Sequence, residues 1–333
     1  MKNSKFKKLA TVTLVVIMAF SSGTVVHAGE IASNYDFYNY SQLQFISESE
    51  IQLWWDNAAS EAFAAITPEQ LEYVASLSAS MHEIENAVAM FYTFSLYNEI
   101  VLDDNCLLEV LTNFNFQPNS SSFLPLHWHY ARLFSLHDGL SASHVTLIQT
   151  FYSQRADAIS QNFFVDTHQN MQRDAYRHFL WNWLITSSLG YRSARVHTSN
   201  HEIASSILRR SSLSLQQAFD TRFNQLIAQG STVAQATAGA EAARDAMAIN
   251  LRQIMLQNTN LVVFHGYFNG DEVMDLINNA HGRQSFLTAN HFIDEPQNVF
   301  VRLWNSGDII RNSHSAITPT LHNMLFNTGL WRP

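Results

Sequence analysis

Asp174, His178 and Asn182 recur at i, i+4 and i+8 within DAYRHFLWNW, residues 174–183, so they share one face of a helix. Arg177 lies beside that face, and Phe179, Leu180, Trp181, Trp183 and Leu184 surround it with apolar surface. Polar groups in such a setting are partly buried and need partners. A second polar group, His201-Glu202, follows Thr198-Ser199-Asn200. A third is MDLINNAHGR, residues 274–283, where Asp275 and Asn279 are i, i+4, as are Asn279 and Arg283, with Asn278 and Gly282 in the next row. Gly282 either lets another helix approach closely or marks a helix end.

These residue types serve general acid–base chemistry, metal ligation and anion binding. His178 or His201 suits a general base, its tautomer set by Asp174 or Glu202. Arg177 and Arg283 suit a phosphate or carboxylate, and Asn182, Asn278 and Asn279 suit substrate orientation or charge stabilisation. His178, His201, Glu202 and Asp275 are also legitimate ligands for a divalent metal, and the residues name no cofactor beyond that. Ile203-Ala204-Ser205 follows His201-Glu202, so the HExxH spacing of zinc proteases is absent. There is no Gly-x-Ser-x-Gly elbow, and the single Cys, Cys106, lies outside the three segments. Water is therefore the expected nucleophile.

The ordered motifs DAYRHFLWNWLIT, NHE, MDLINNAHGR and LWNSGDII resemble an uncharacterised bacterial domain family, a domain of unknown function found in secreted and toxin-associated proteins. The resemblance covers about residues 166–312, with about 203–268 as an insertion between the second and third motifs. It implies a shared polar site on Asp174, Arg177, His178, Trp181, Asn182, His201, Glu202, Asp275, Asn278, Asn279 and Arg283, and it names no reaction. The expected function is an exported hydrolase, His-based or metal-assisted, acting on a phosphoester or lipid head group at the cell envelope. The competing readings are a binding or structural module, in which the same residues form an interhelical hydrogen-bond network, and a secreted antibacterial toxin.

Positioning such groups falls to helices. The pattern is helical almost throughout, which gives a multi-helix all-α globular protein with at most a minor β element. Apolar positions at helical spacing mark residues 47–66, and Thr67-Pro68-Glu69-Gln70 is a helix start whose helix is expected to reach about Leu102. A loop is expected over Phe114–Leu126, the aromatic His-rich patch Leu126–Tyr130 reads as partly buried loop, and Ser141 caps a helix to about Gln161. Further helices are expected over 167–189, 192–210, 213–229, 232–257, 269–287 and 295–307, with a strand or buried loop at 261–268 and an extended piece at 308–311. The organisation expected is an N-terminal helical region, 29–160, and a polar-site domain, 161–333.

The chain has 333 residues, 47% hydrophobic and 14% charged, which excludes a disordered chain or a coiled coil. Residues 1–28 read as a signal peptide: Lys2, Lys5, Lys7 and Lys8, an apolar run from Leu9 to Phe20, then small residues to Ala28. A secreted or periplasmic location follows, with no membrane-spanning segment after its removal. The remainder carries 15 Arg against 28 acidic residues, a balance unsuited to nucleic acid.

Overall fold

The computed structural model describes residues 47–79, 126–164, 170–291, 293–310 and 319–333. The signal segment, the aromatic run Phe91–Tyr97, the 114–125 loop and Cys106 lie outside the described residues. Among the described residues every regular element is helical, with no strand. No helix there is long and apolar enough to cross a membrane.

Helix α1 spans Glu48–Ala64 and opens with a capping box in which Ser47 and Glu50 satisfy each other's backbone N–H groups. Helix α2 begins at residue 68, capped as its sequence dictates, with Gln70 N donating to Thr67 Oγ1 at 3.2 Å, and is described to residue 79. Helix α3 is Leu126–His137. The aromatic patch expected as loop is thus its first turn, because the pattern of Tyr130, Ala131, Leu133 and Phe134 gives α3 a buried face. Helix α4, Ala142–Leu147, is capped by Ser141 and passes through a single π turn, Ile148–Tyr152, into α5, Ser153–Phe163.

Three helices carry the motifs. Helix α6, Asn170–Leu189, stops at Gly190, whose φ of 86° is the left-handed geometry that glycine tolerates. Helix α7, Tyr191–Ala228, runs unbroken where two helices were expected. Ser211-Ser212 does not break it: neither residue is a Gly or Pro, and Ser211 is buried in the packing. Gly230 then turns the chain into α8, Val233–Gln257, so the stretch 203–268 supplies the distal part of α7 and all of α8. Residues Leu261–Phe264 form one helical turn, α9, in place of a strand. Helix α10, Gly270–Thr288, starts from a capping box between Asn269 and Glu272, at 3.0 and 2.6 Å. Helix α11, Pro296–Ser306, ends on left-handed Gly307, residues 308–310 form no strand, and α12 is Pro319–Thr328.

Two apolar clusters flank the motif helices. One gathers Trp55 of α1, Phe134 of α3, Ile203 and Ile207 of α7, Leu251 of α8 and Leu276 of α10. Trp331 docks into it, fully buried, its ring 5.1 Å from that of Phe264. The other gathers Val145, Ile148, Tyr176, Phe179, Trp183 and Phe300. Burying such side chains contributes about 1.5–3 kcal/mol each before entropy is counted.

Helix α10 touches α6 most closely at Gly282. A Cβ there would lie 2.2 Å from the Phe179 carbonyl oxygen and 3.0 Å from Asn182 Cβ. Close helix approach is therefore the role of this glycine, and it sets the polar side chains of the two helices against one another.

Candidate functional site

The site is built around a relay of hydrogen bonds whose directions are fixed by its first member. Arg283, 1% exposed, can only donate. Its Nη1 lies 2.8 Å from Asn182 Oδ1 and 3.0 Å from Thr198 Oγ1. Asn182 must then present its Nδ2 to Asn279 Oδ1, 2.6 Å away. Asn279 Oδ1 is an acceptor, so the His178 Nδ1 at 3.2 Å must carry a proton. The neutral His178 ring therefore keeps its lone pair on Nε2. Asn182, Asn279 and Arg283 sit on α6 and α10, and Thr198 reaches them from α7.

Nε2 faces charge. Arg177 Nη2 donates to it at 3.0 Å, Asp275 Oδ1 lies 3.2 Å away and Asp174 Oδ1 3.9 Å. Arg177 also holds Asp174 Oδ1, at 2.5 Å from Nη2. The ligand-capable atoms of Asp174, His178 and Asp275 all lie within 4.8 Å of one another. Asp275 Oδ1 is buried and has no aligned hydrogen-bond partner. The cluster opens at one edge: the side chains of Asp174 and Arg177 are 37% and 38% exposed, against 14% for Asp275 and 3% for His178.

Burial, and then the Arg177 charge, push His178 down to about 3. Burial raises the Asp275 carboxyl well above its usual range, and the Asp174 charge adds to the rise. For Asp174 burial works upward, but His178, Arg177 and Arg173 outweigh it and hold the carboxyl down. Arg177 loses by burial, but Asp174, Asp275 and Asp157 together outweigh that loss and keep it cationic. An Asp275 carboxyl raised in this way and facing a Nε2 lone pair is an arrangement in which one proton can serve two groups.

The other expected residues fall in different places. His201 stands apart from the Asp174–His178–Asp275 group. It packs against Trp128 at 4.4 Å, His127 at 5.2 Å and Trp181 at 5.7 Å between ring centroids. Its Nδ1 is buried without a partner, and burial holds its ring neutral. Glu202 is 2% exposed, with Oε1 unpartnered. Burial, Asp275 and Glu272 push its carboxyl well up. Asn278 pins residue 310, its Oδ1 accepting from Ile310 N at 3.1 Å and its Nδ2 donating to Ile310 O at 3.3 Å. Trp181 Nε1 donates to Ile148 O at 3.3 Å. Asn182, Asn278, Asn279 and Arg283 are thus sealed in the interior, and only Arg177 of the expected substrate-binding set reaches the surface.

His197 and Thr198 were not singled out from sequence. His197 is fully buried, its Nδ1 2.9 Å from Ser135 Oγ. It stands at i, i+4 to His201, and Thr198 at i, i+4 to Glu202, which is the signal that could have found them.

A domain of unknown function, DUF6973, matches residues 140–306. That is half of the chain, and the chain belongs to this family. The match begins well ahead of the motif helix and runs through residues 203–268. No curated protein and no solved structure matches the chain.

Proposed function

We propose that this DUF6973 member is an exported hydrolase of a phosphoester or lipid head-group substrate, with His178 as its general base. The observation that carries this reading is the lone pair of His178 Nε2, held toward Asp275 and the exposed Asp174–Arg177 edge by a buried relay. Arg177 is the group at that edge able to meet an anionic substrate. Water is the nucleophile: as Arg177 turns from Nε2 to the substrate anion, Nε2 is freed and takes the water's proton during attack on phosphorus. The proton held by Asp275 is available to the leaving oxygen. Asn279, Asn182, Thr198 and Arg283 act behind His178, fixing its tautomer and ring plane. Asp174, His178 and Asp275 would also fit a divalent cation, which would lower the pKa of a bound water. Arg177 would then have to withdraw from His178.

The sealed half of the relay favours a second reading. Asn182, Asn279 and Arg283 are 0–1% exposed and bonded to one another, as an interhelical network that fixes packing would be.

The two readings separate in one experiment. The parent and His178→Asn are assayed against bis(p-nitrophenyl) phosphate and a short-chain phosphatidylcholine, with and without chelator, alongside thermal melts. Catalysis requires turnover by the parent and a loss of about 10²–10⁴-fold in the variant at little cost in stability. Activity lost to chelator and restored by a divalent ion would place the metal on Asp174, His178 and Asp275. A parent without turnover on either substrate, together with a variant that melts far below it, leaves the structural reading alone.

A further inference from the structure

The chain is poor in cations, and all its lysines lie in the first eight residues. Of its 15 arginines, four line one cavity of about 490 Å³: Arg192 and Arg195 of α7, Arg252 of α8, and Arg332 near the C-terminus. Asp138 is the only acidic side chain lining it. That carboxylate is already engaged: its Oδ2 takes Arg252 Nη2 at 2.5 Å and Asn200 Nδ2 at 2.8 Å.

The remaining guanidiniums have no carboxylate among the described residues. Arg192 Nη2 donates to the Asp138 carbonyl at 2.8 Å. Arg195 donates to the Arg332 carbonyl at 3.0 Å and the Gly329 carbonyl at 3.3 Å. Arg332 lies over the Trp331 ring. These partners satisfy N–H groups without cancelling charge, and an arginine cannot escape repulsion by losing its proton. Arg252 adds a second mark of an unfilled site. It is 1% exposed, and its Nη1 has no hydrogen-bond partner. Three cations without an ion pair, beside one that is paired but under-bonded, are the donor set that a phosphate takes through bidentate forks.

We propose that this cavity binds a phosphate group carried by a small organic ligand. A dianion matches the surplus charge better than a single carboxylate does. The volume exceeds that of the ion alone, and Val196 and Leu256 offer apolar wall for an attached body. The site is distinct from the His178 cluster. Tyr191 of the cavity wall also packs its ring against Arg283, so the two lie on opposite ends of the buried relay.

Calorimetric titration of the full chain at low ionic strength tests this with glycerol 3-phosphate and inorganic phosphate, using acetate and glycerol as controls. Saturable binding of glycerol 3-phosphate is expected, with acetate at least tenfold weaker. Arg192→Gln and Arg332→Gln alter exposed side chains and should melt with the parent. Each should weaken binding by about tenfold, the loss of one charge-assisted hydrogen bond. His178→Asn should leave the affinity unchanged. Equal affinity for inorganic phosphate would assign the site to the free ion, and tighter glycerol 3-phosphate would assign it to an organic phosphate. Absence of saturable binding for both probes overturns the site. So does acetate binding as tightly, or a loss of binding in His178→Asn with none in the arginine variants.

Discussion

His197 makes the stability of this fold acid-sensitive by a calculable amount. Ser135 Oγ donates to the Ala131 carbonyl at 2.6 Å, so it can only accept from His197, whose Nδ1 carries the proton. Nε2 is buried with no partner. Protonating it would place an unpaired N–H and a charge in the core, and burial, reinforced by Arg132, pushes the ring down to about 3 from 6.5. A group whose folded pKa is depressed keeps its stabilising contribution above the unfolded pKa and loses it as the pH falls toward the folded one. For His197 that window runs from pH 6.5 down to about 3. At pH 5 the loss relative to pH 8 comes to about 2 kcal/mol. The perturbation that isolates it is His197→Asn, whose amide can still donate to Ser135 but does not titrate. Urea denaturation of parent and variant at pH 8, 6.5 and 5 gives two stability profiles, and His178, Glu202 and Asp275 contribute to both. The variant should be less stable at pH 8, having lost its edge contact with the Trp181 ring at 6.0 Å. The gap should then close by about 2 kcal/mol at pH 5. Parallel profiles would show that His197 is not held neutral by the core, and the argument from burial would be wrong.

Other perturbations read other parts of the structure. Gly282→Ala should lower stability by about 1–3 kcal/mol in thermal melts, because its Cβ would lie 2.2 Å from the Phe179 carbonyl and must push α6 and α10 apart. Glu202→Gln should be more stable than the parent at pH 8 and no more stable at pH 4. A raised carboxyl stabilises the fold below its unfolded pKa of about 4.5 and loses that contribution as pH rises through the folded value. Arg283→Met should cost about 1–3 kcal/mol in chemical denaturation, since Thr198 Oγ1 would lose its buried donor and Asn182 Oδ1 would keep only that of Thr198. Asn278→Ala should cost about 1–3 kcal/mol and raise amide exchange at Ile310, whose N–H loses its acceptor.

Much of this architecture could be read from local chemistry. Ser47, Thr67, Ser141 and Asn269 cap helices where their sequences place caps, and Gly190 and Gly307 end them. Each is a short-range signal, decided within four residues. The misreadings concern features set by tertiary packing. The serine pair at 211–212 resembles a break, yet Ser211 is buried in the packing, and the aromatic patch at 126–130 resembles a loop until its apolar face meets α7. Leu261–Phe264 is too short for its periodicity to separate strand from helix. At the site, the sequence names Asp174, His178, Asn182, Asp275, Asn279 and Arg283, which meet, but also His201, which stands apart, and it does not give their depth. Arg283 and Arg177 look alike in sequence, yet Gly282 draws one into the interior while the other stays at the edge.

That difference in depth bears on the role proposed for His178. A histidine can be a base near neutral pH only if its lone pair points at a reactant, and a buried imidazole can present either nitrogen. Here an arginine that cannot accept sets the orientation of Asn182, Asn182 sets Asn279, and Asn279 sets the His178 tautomer. Asn182 is held as well by the His178 carbonyl, 3.1 Å from its Nδ2, so it is removal of Asn182 or Asn279 that leaves the next member free to turn, and these interior residues would govern the reactivity proposed for His178 without contacting a substrate. The structural and catalytic readings of these polar residues are then successive parts of one chain. Asn182→Leu supplies a test, since it deletes the middle of the relay while keeping side-chain volume. If the relay sets the tautomer, His178 nitrogen chemical shifts in Asn182→Leu should move from the Nδ1-protonated pattern toward a mixture. An unchanged pattern in a folded variant would mean that Arg177, Asp174 and Asp275 alone orient the ring, and the buried network would then be packing and nothing more.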